Sequence, residues 1–395
     1  MTVNFGDSRR MTVTLEKGSV GIVETKYFTF AHPPDGLNLE SGKTIGPITV
    51  AYETYGRLAP KKDNVILIVH ALSGEAHVAG KNSPDDKKLG WWDEMVGPGR
   101  AFDTTKYFVV CSNCLGGCKG TTGPSSVNPA TERPYGMSFP VITIEDMVRV
   151  QAALVDHLGI ERLLTVVGGS MGGMQALQWA VSFPNRVRSV IPIASTPRLT
   201  AQGIAFNAVG RNAIVSDPNW NGGDYYGKDV PAKGLSIARM VGHITYLSDE
   251  SMHAKFGREL RNADDYKYEL EAEFEVESYL NHQGESFVRR FDANSYLYIT
   301  KAMDYFDLAG KYGSLTNAFK DVLARFLVIA YSTDWLYPTY QSKEIVQALM
   351  NLNKEVTFCE IQSRHGHDAF LLEWEALTRI IRSYLAEVYN DHSDE

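Results

Sequence analysis

The sequence predicts an α/β protein: a mostly parallel sheet covered by helices and interrupted by a long helical insertion. Three observations carry this. Short, continuously apolar runs rich in β-branched residues recur along the chain, the mark of strands buried on both faces. Stretches with helical spacing of apolar residues lie between them, the alternation that right-handed βαβ units require. Between residues 197 and 317 the β-branched runs stop, and afterwards they resume. A chain of 395 residues admits about two or three average domains, or one α/β domain carrying an insertion, and the pattern fits the second.

Taken in order, residues 48–55 alternate apolar and polar positions through Ile48, Val50 and Tyr52, which predicts a half-buried strand. Residues 65–69 and 107–111 read as strands buried on both faces. Thr143 with Asp146 three residues on is a helix-capping signal. Met147, Val150, Ala153, Leu154 and Leu158 follow at helical spacing, and Gly159 ends that helix. A strand over 163–167, a helix over 171–181 and a strand over 187–194 come next. The insertion carries helical patterns near 237–247 and 293–306. Residues 268–276 alternate Glu269, Glu271, Glu273 and Glu275 with apolar positions and read as a solvated acidic segment. A strand over 326–331, a helix over 340–350, a strand over 356–361 and a helix over 370–388 complete the chain. The expected division is a core of residues 1–196 and 318–395 with a helical lid over 197–317.

Composition narrows the function. Hydrophobic residues make up 44% and charged residues 22%, values of a globular enzyme and not of a disordered chain. The net charge of −8 argues against a nucleic-acid or anionic-membrane surface. No apolar run approaches the ~20 residues that span a bilayer. Four cysteines cannot form a disulfide framework and suggest a reducing, cytosolic compartment. Residues 1–15 lack the pattern of a signal peptide. Met11-Thr12-Val13 echoes Met1-Thr2-Val3, so either methionine fits as the start.

The motif that carries chemistry is Gly168-Gly169-Ser170-Met171-Gly172-Gly173. It places G-x-S-x-G directly after a buried strand and before a helix, the context of a nucleophile elbow. A serine hydroxyl needs a base, and the base an orienting carboxylate. In this architecture they follow in the order Ser, Asp, His. Asp334 lies just past the strand 326–331, and His367 just past the strand 356–361, both at the sheet edge where such folds place their sites. His367 is the expected base and Asp334 its orienting partner. His365 competes for the base. The His365-Gly366-His367 pair and the Cys111, Cys114, Cys118 spacing lack the further ligands a metal site needs, so no metal is expected. Two backbone N–H groups should face the developing oxyanion: Met171, after the nucleophile, and Leu72, in the loop after strand 65–69. Gly42-Lys43-Thr44 fails as a phosphate loop, because the leading glycine would fall on Leu37.

The chain resembles the homoserine O-acetyltransferase family over almost its whole length. The resemblance rests on His70-Ala71-Leu72-Ser73-Gly74, Gly90-Trp91-Trp92-Asp93, Gly97-Pro98-Gly99 and the Gly116–Pro124 run Gly-Gly-Cys-Lys-Gly-Thr-Thr-Gly-Pro. It rests also on residues 168–175, on Arg239-Met240-Val241-Gly242-His243-Ile244-Thr245-Tyr246, on Phe291-Asp292-Ala293-Asn294-Ser295-Tyr296 and on His367-Asp368-Ala369-Phe370. It implies an α/β-hydrolase fold with an inserted helical lid and a role in methionine biosynthesis. It implies a ping-pong reaction in which Ser170 takes an acetyl group from acetyl-CoA, a co-substrate and not a resident cofactor, and passes it to the hydroxyl of L-homoserine. Arg239 matches the arginine that grips the homoserine carboxylate, and Asp368 the residue that holds its ammonium group. A cytoplasmic homodimer joined through the lid is implied too. Taken alone, Asp368 also reads as the N-cap of the last helix. A succinyl donor, a serine acceptor or plain ester hydrolysis would use the same triad, so those alternatives stay open at this point.

Overall fold

The computed structural model describes residues 18–393; the expectations placed on residues 1–15, including the choice between Met1 and Met11, lie outside the described residues. Eight strands form one sheet: β1 (Lys26–Phe30), β2 (Ile48–Tyr55), β3 (Val65–Ile68), β4 (Phe108–Ser112), β5 (Leu163–Gly169), β6 (Val187–Ile193), β7 (Arg325–Tyr331) and β8 (Val356–Ile361). Their spatial order is β1-β2-β4-β3-β5-β6-β7-β8. β1 and β2 are antiparallel, as are β2 and β4, with Phe28 opposite Val50 and Thr54 opposite Val110. From β4 onward every pair is parallel, with Ile66 opposite Thr165 and Val190 opposite Phe326.

Strand periodicity decides the two faces. Leu67, Val166, Val190 and Val328 point into one core, covered by α1 (Ile144–His157), α2 (Met171–Ser182) and the later helix Thr339–Met350. Ile66, Leu164, Ile191 and Leu327 point into the other, covered by the last helix and by Trp92, Met95 and Phe102. Helix α1 starts as its sequence predicts, with a capping box between Thr143 and Asp146, and Gly159 beyond its end takes a φ of 67°.

The insertion leaves the sheet after β6 and returns at β7. It contains α3 (Ala201–Val215), α4 (Ala232–Tyr246), α5 (Asp249–Phe256), α6 (Glu275–Val288) and α7 (Ala293–Asp304). The next two helices, α8 (Leu308–Tyr312) and α9 (Leu315–Phe319), lie on the core: Lys311 reaches Glu145 of α1 at 2.6 Å, and α9 packs on α2 and α10 (Thr339–Met350). The chain ends in α11 (Ala369–Leu372) and α12 (Trp374–Ser393).

Several expectations change. The strand at 48–55 is buried almost throughout, not half-buried. Its Glu53 is 1% exposed and accepts bonds from Thr25, Tyr55 and Asn82 while pairing with His77, so a polar position was compatible with the interior. The helix expected over 370–388 breaks at Glu373 into α11 and α12. The acidic segment is solvated through Leu270, and α6 begins only at Glu275.

Candidate active site

Ser170 stands at the junction of β5 and α2 with φ 58° and ψ −123°, a conformation that a non-glycine residue holds only when its surroundings enforce it. The enforcement comes from close packing. A Cβ on Gly172 would lie 2.1 Å from the carbonyl oxygen of Val69, so only glycine lets the first turn of α2 press against the end of β3. The Ser170 side chain is thereby held at the mouth of the turn, 8% exposed.

Asp334 and His367 arrive from the ends of β7 and β8. The Asp334 Oδ1 accepts the backbone N–H groups of Leu336 (3.0 Å) and Tyr337 (2.9 Å). Its Oδ2 lies 2.7 Å from His367 Nδ1, and His367 Nε2 lies 2.8 Å from Ser170 Oγ. The carboxylate accepts the proton on Nδ1, which leaves the Nε2 lone pair for the serine hydroxyl. Burial pulls the imidazole pKa down, but the Asp334 charge and hydrogen bond outweigh it, with Asp368 adding, so it lies above the ordinary histidine value. Tyr246, Tyr337 and Phe370 ring the imidazole at 6.0, 5.0 and 5.8 Å between centroids and shield it from water. His365 sits elsewhere, with Nε2 3.9 Å from Glu373 Oε1. The structure therefore brings Ser170, His367 and Asp334 together and leaves His365 out.

Leu72 and Ser170 line one cavity of about 490 Å³, counted to its open mouth, between the sheet edge and the lid. Its walls include Leu199, Phe206, Val241, Met303 and Leu336, with Tyr246 and Tyr337 as the polar exceptions nearest His367. Met171 is the first residue of α2, so its N–H is one of the helix's unsatisfied donors. Among the described residues neither the Leu72 nor the Met171 N–H is taken up by a protein acceptor.

Arg239 projects from α4 over this loop. Its Nη1 donates to Ser73 Oγ at 3.3 Å, and the guanidinium rests on Phe287 (4.8 Å) and Tyr246 (5.5 Å). Asp368 is half-buried beside His367. Its expected N-cap role is not realised: it precedes α11 but has helical φ/ψ, and its side chain makes no capping hydrogen bond. Burial raises its pKa, and the positive charges of His367, Arg239 and Lys255 act against that. A guanidinium and a carboxylate within electrostatic reach of each other thus lie close to His367, neither in a direct ion pair among the described residues.

Sequence reasoning missed Tyr246, Tyr337 and Arg290. Tyr337 stacks edge-on against His367, and Arg290 donates to the Ser73 carbonyl at 3.0 Å. Tyr246 stood in a recognised motif; Tyr337 and Arg290 carry no local signal, since it is tertiary packing that brings them here. Cys111 and Cys114 are buried thiols pushed up by burial, Cys114 to about 12, and Cys118 beside them to about 11. Among the described residues no three His, Cys, Asp or Glu side chains converge as metal ligands.

A nucleophilic hydroxyl, a base, an orienting carboxylate and two free N–H donors can together form and break an ester through a tetrahedral oxyanion. Comparison with known proteins agrees with this chemistry. A family model for the alpha/beta hydrolase fold matches residues 64–373. Homoserine O-acetyltransferase of Deferribacter desulfuricans is 56% identical over 376 residues, covering 95% of this chain and 99% of that protein. The crystal structure of homoserine O-acetyltransferase from Bacillus anthracis superposes with a TM-score of 0.86 at 33% identity, over 92% of this chain and 98% of that one. Esterase E22 superposes with a TM-score of 0.84 at 32% identity, over 92% and 100%. The chain belongs to the alpha/beta hydrolase superfamily and, within it, to the homoserine O-acetyltransferase family.

Proposed function

We propose that this chain transfers an acetyl group from acetyl-CoA to the side-chain hydroxyl of L-homoserine by a ping-pong route through acetyl-Ser170. In the first half-reaction His367 Nε2 takes the proton of Ser170 as its oxygen attacks the thioester carbonyl. The oxyanion is held by the Leu72 and Met171 N–H groups. Collapse breaks the C–S bond, and the leaving thiolate takes the proton from His367. In the second, the homoserine hydroxyl attacks the acyl carbon, His367 accepts its proton, and Ser170 leaves reprotonated. Asp334 keeps the imidazole in the required tautomer and stabilises its cation.

The observation that carries this reading is the Arg239 guanidinium and the Asp368 carboxylate near the base, within electrostatic reach of each other and, among the described residues, neither in a direct ion pair. A hydrolase delivering water has no use for them, whereas an α-amino acid presents a carboxylate for the guanidinium fork and an ammonium for the carboxylate. Acetyl is favoured over succinyl because the cavity walls are largely apolar and the nearby Arg211 is already paired with Asp304 at 2.6 Å. A second succinyl carboxylate would then have to compete with the homoserine carboxylate for Arg239. The inserted helices α3 and α4 expose Ile204, Val209, Val215, Ile237 and Ile244, an apolar surface that fits the homodimer implied by the family resemblance. Among the described residues no helix is long and apolar enough to cross a membrane, and the four thiols are unpaired, in keeping with a reducing cytoplasm.

The test is thiol release from acetyl-CoA and succinyl-CoA with homoserine, serine or water as acceptor, with intact-mass detection of the acyl-enzyme. Acetyl-CoA with homoserine should be fastest, with succinyl-CoA slower by ~10²-fold or more. Ser170→Ala should form no acetyl adduct and lose on the order of 10⁴–10⁶ in turnover. An equal adduct on that variant, or equal release with water and homoserine, would refute the assignment.

A further inference from the structure

From a hydrogen-bond chain beneath the site we infer that Gln175 is a positioning residue that sets both halves of the oxyanion hole at once. The inference rests on the acyl-transfer reading above. Gln175 lies one turn into α2 and is completely buried. Its side-chain Nε2 donates to the carbonyl of His70, at the start of the Leu72 loop (3.0 Å), and to the carbonyl of Met171, at the start of α2 (3.4 Å). One amide nitrogen, with its two hydrogens, therefore ties together the two segments that bear the expected N–H donors.

The orientation of that amide is not free. The Trp179 indole N–H can only donate, and it donates to Gln151 Oε1 at 2.8 Å. This turns the Gln151 amide nitrogen toward Gln175 Oε1, at 2.6 Å. Gln175 is then left with its nitrogen facing the two carbonyls. Trp179, Gln151 and Gln175 are all at most 2% exposed, so no water competes with the chain. A buried polar chain of this kind is costly unless every member is satisfied, and when satisfied it fixes one geometry.

His70 fixes the loop from the other side. Its Nδ1 lies 2.8 Å from the Ala71 carbonyl, and its Nε2 accepts the Cys114 N–H at 3.0 Å, so the ring is neutral with its hydrogen on Nδ1. The Ala71 carbonyl also accepts the Gly74 N–H. Because the peptide is planar and trans, a carbonyl held on that side sends the Leu72 N–H the opposite way. The His70 ring aims one N–H, and Gln175 sets its spacing from the other.

The oxyanion forms in both half-reactions, so a displaced hole must slow both. The experiment measures acylation by acetyl-CoA and deacylation by homoserine in rapid-mixing kinetics for the parent, Gln175→Met, Gln151→Met and Trp179→Phe. Rates are expressed per site titrated by the acylation burst, so a loss of folded protein lowers the amplitude and leaves the rate constants alone. Gln175→Met should lower both rate constants by about 10²-fold, near the ~10²–10³ lost with a whole oxyanion donor. Gln151→Met should have a smaller effect and Trp179→Phe the smallest, with KM for homoserine unchanged throughout. If Gln175→Met fails to fold, the two outer variants decide, and unchanged rates in both overturn the inference. Slowing of only one half-reaction, or rates per site within about twofold of the parent in Gln175→Met, overturns it as well. A parent that forms no acetyl-enzyme overturns the acyl-transfer reading and this inference with it. A competent parent with unmoved variants overturns this inference alone.

Discussion

Arg239→Ala should separate transfer from hydrolysis. The Arg239 guanidinium has a single direct hydrogen bond to the Ser73 loop, 3.3 Å to Ser73 Oγ, and otherwise rests on aromatic faces at 4.8 and 5.5 Å. Among the described residues no carboxylate pairs with it directly, and the Asp368 charge reaches it only through space, so the guanidinium fork is open to an anionic ligand. Losing a charge-assisted hydrogen bond to that ligand is worth about 1.5–3 kcal/mol, or ~10- to 150-fold. A homoserine hydroxyl that also drifts out of line adds to the loss. The cost to the fold is smaller, about 0.5–1 kcal/mol for the lost cation–π contact. Part of that returns, because burial and the Arg239 charge together depress the pKa of the neighbouring Arg290, and removing Arg239 relieves the repulsion. The measurement is single-turnover decay of the acetyl-enzyme with and without homoserine. In the parent, homoserine should greatly accelerate decay. In Arg239→Ala that acceleration should fall 10-fold or more, by the same estimate, while acylation and decay in water stay put. Equal slowing in water and in homoserine would refute the acceptor role of Arg239.

Other perturbations test the surrounding frame. Because His367 must be neutral to accept a proton and its pKa lies above 6.5, kcat/KM should fall as pH drops through that raised value. Asp334→Asn removes the charge that raises it and leaves burial, so the acid limb should move to lower pH while the plateau drops by about 10⁴-fold; a limb that stays or rises would contradict this. Gly172→Ala places a methyl 2.1 Å from the Val69 carbonyl oxygen and should cost about 1–3 kcal/mol or more in chemical denaturation, with activity falling further as the Met171 N–H is pushed aside. Glu53→Gln breaks the buried pair with His77 at 2.9 Å and should cost about 3–5 kcal/mol. Against burial, its hydrogen bonds lower the Glu53 pKa below 4.5, so that contribution is present above 4.5 and lost as pH falls through the lowered value. The His77 pKa is raised above 6.5 by Glu53 against its burial, so that contribution is present below 6.5 and lost as pH rises through the raised value. The difference in melting temperature between parent and variant should be largest between those limits, and a difference flat across pH 4 to 8 would count against the pair, since one group or the other changes charge there.

The sequence was most legible where local chemistry and position coincide. Largely apolar, β-branched runs marked β3, β5, β6 and β7, because parallel strands buried on both faces show little polar alternation. Chain order alone placed Asp334 and His367 within 2.8 Å of their partners, because strand ends in a parallel sheet share one edge. β1 went unseen: its residues Lys26–Phe30 are mostly exposed, and their pairing with β2 is a long-range fact. Helix α3 was missed because its apolar residues Ile204, Val209 and Val215 face outward, which blurs the stripe that periodicity seeks. The break at Glu373 escaped because the apolar spacing runs on through it.

The same hydrogen-bonded chain of serine, histidine and aspartate can serve an esterase, and esterase E22 shares this fold at a TM-score of 0.84. What selects the acceptor must therefore lie outside the chain of three. Water outnumbers a millimolar amino acid by about 10⁴–10⁵ to one, whereas a well-oriented hydroxyl reaches an effective molarity of ~10⁵–10⁸ M. Orientation alone can reverse those odds, provided the acceptor is held at both ends. Under the proposed function, Arg239 on α4 and Asp368 beside the base would supply two such ends, and they belong to different parts of the chain. The grip exists only while the lid sits on the core. Tyr246 helps to hold it there, touching Arg239 on one side and His367 on the other. On this reasoning acceptor choice is a property of how the lid is seated, and substitutions that loosen α4 should raise hydrolysis relative to transfer even where they leave Ser170, His367 and Asp334 in place.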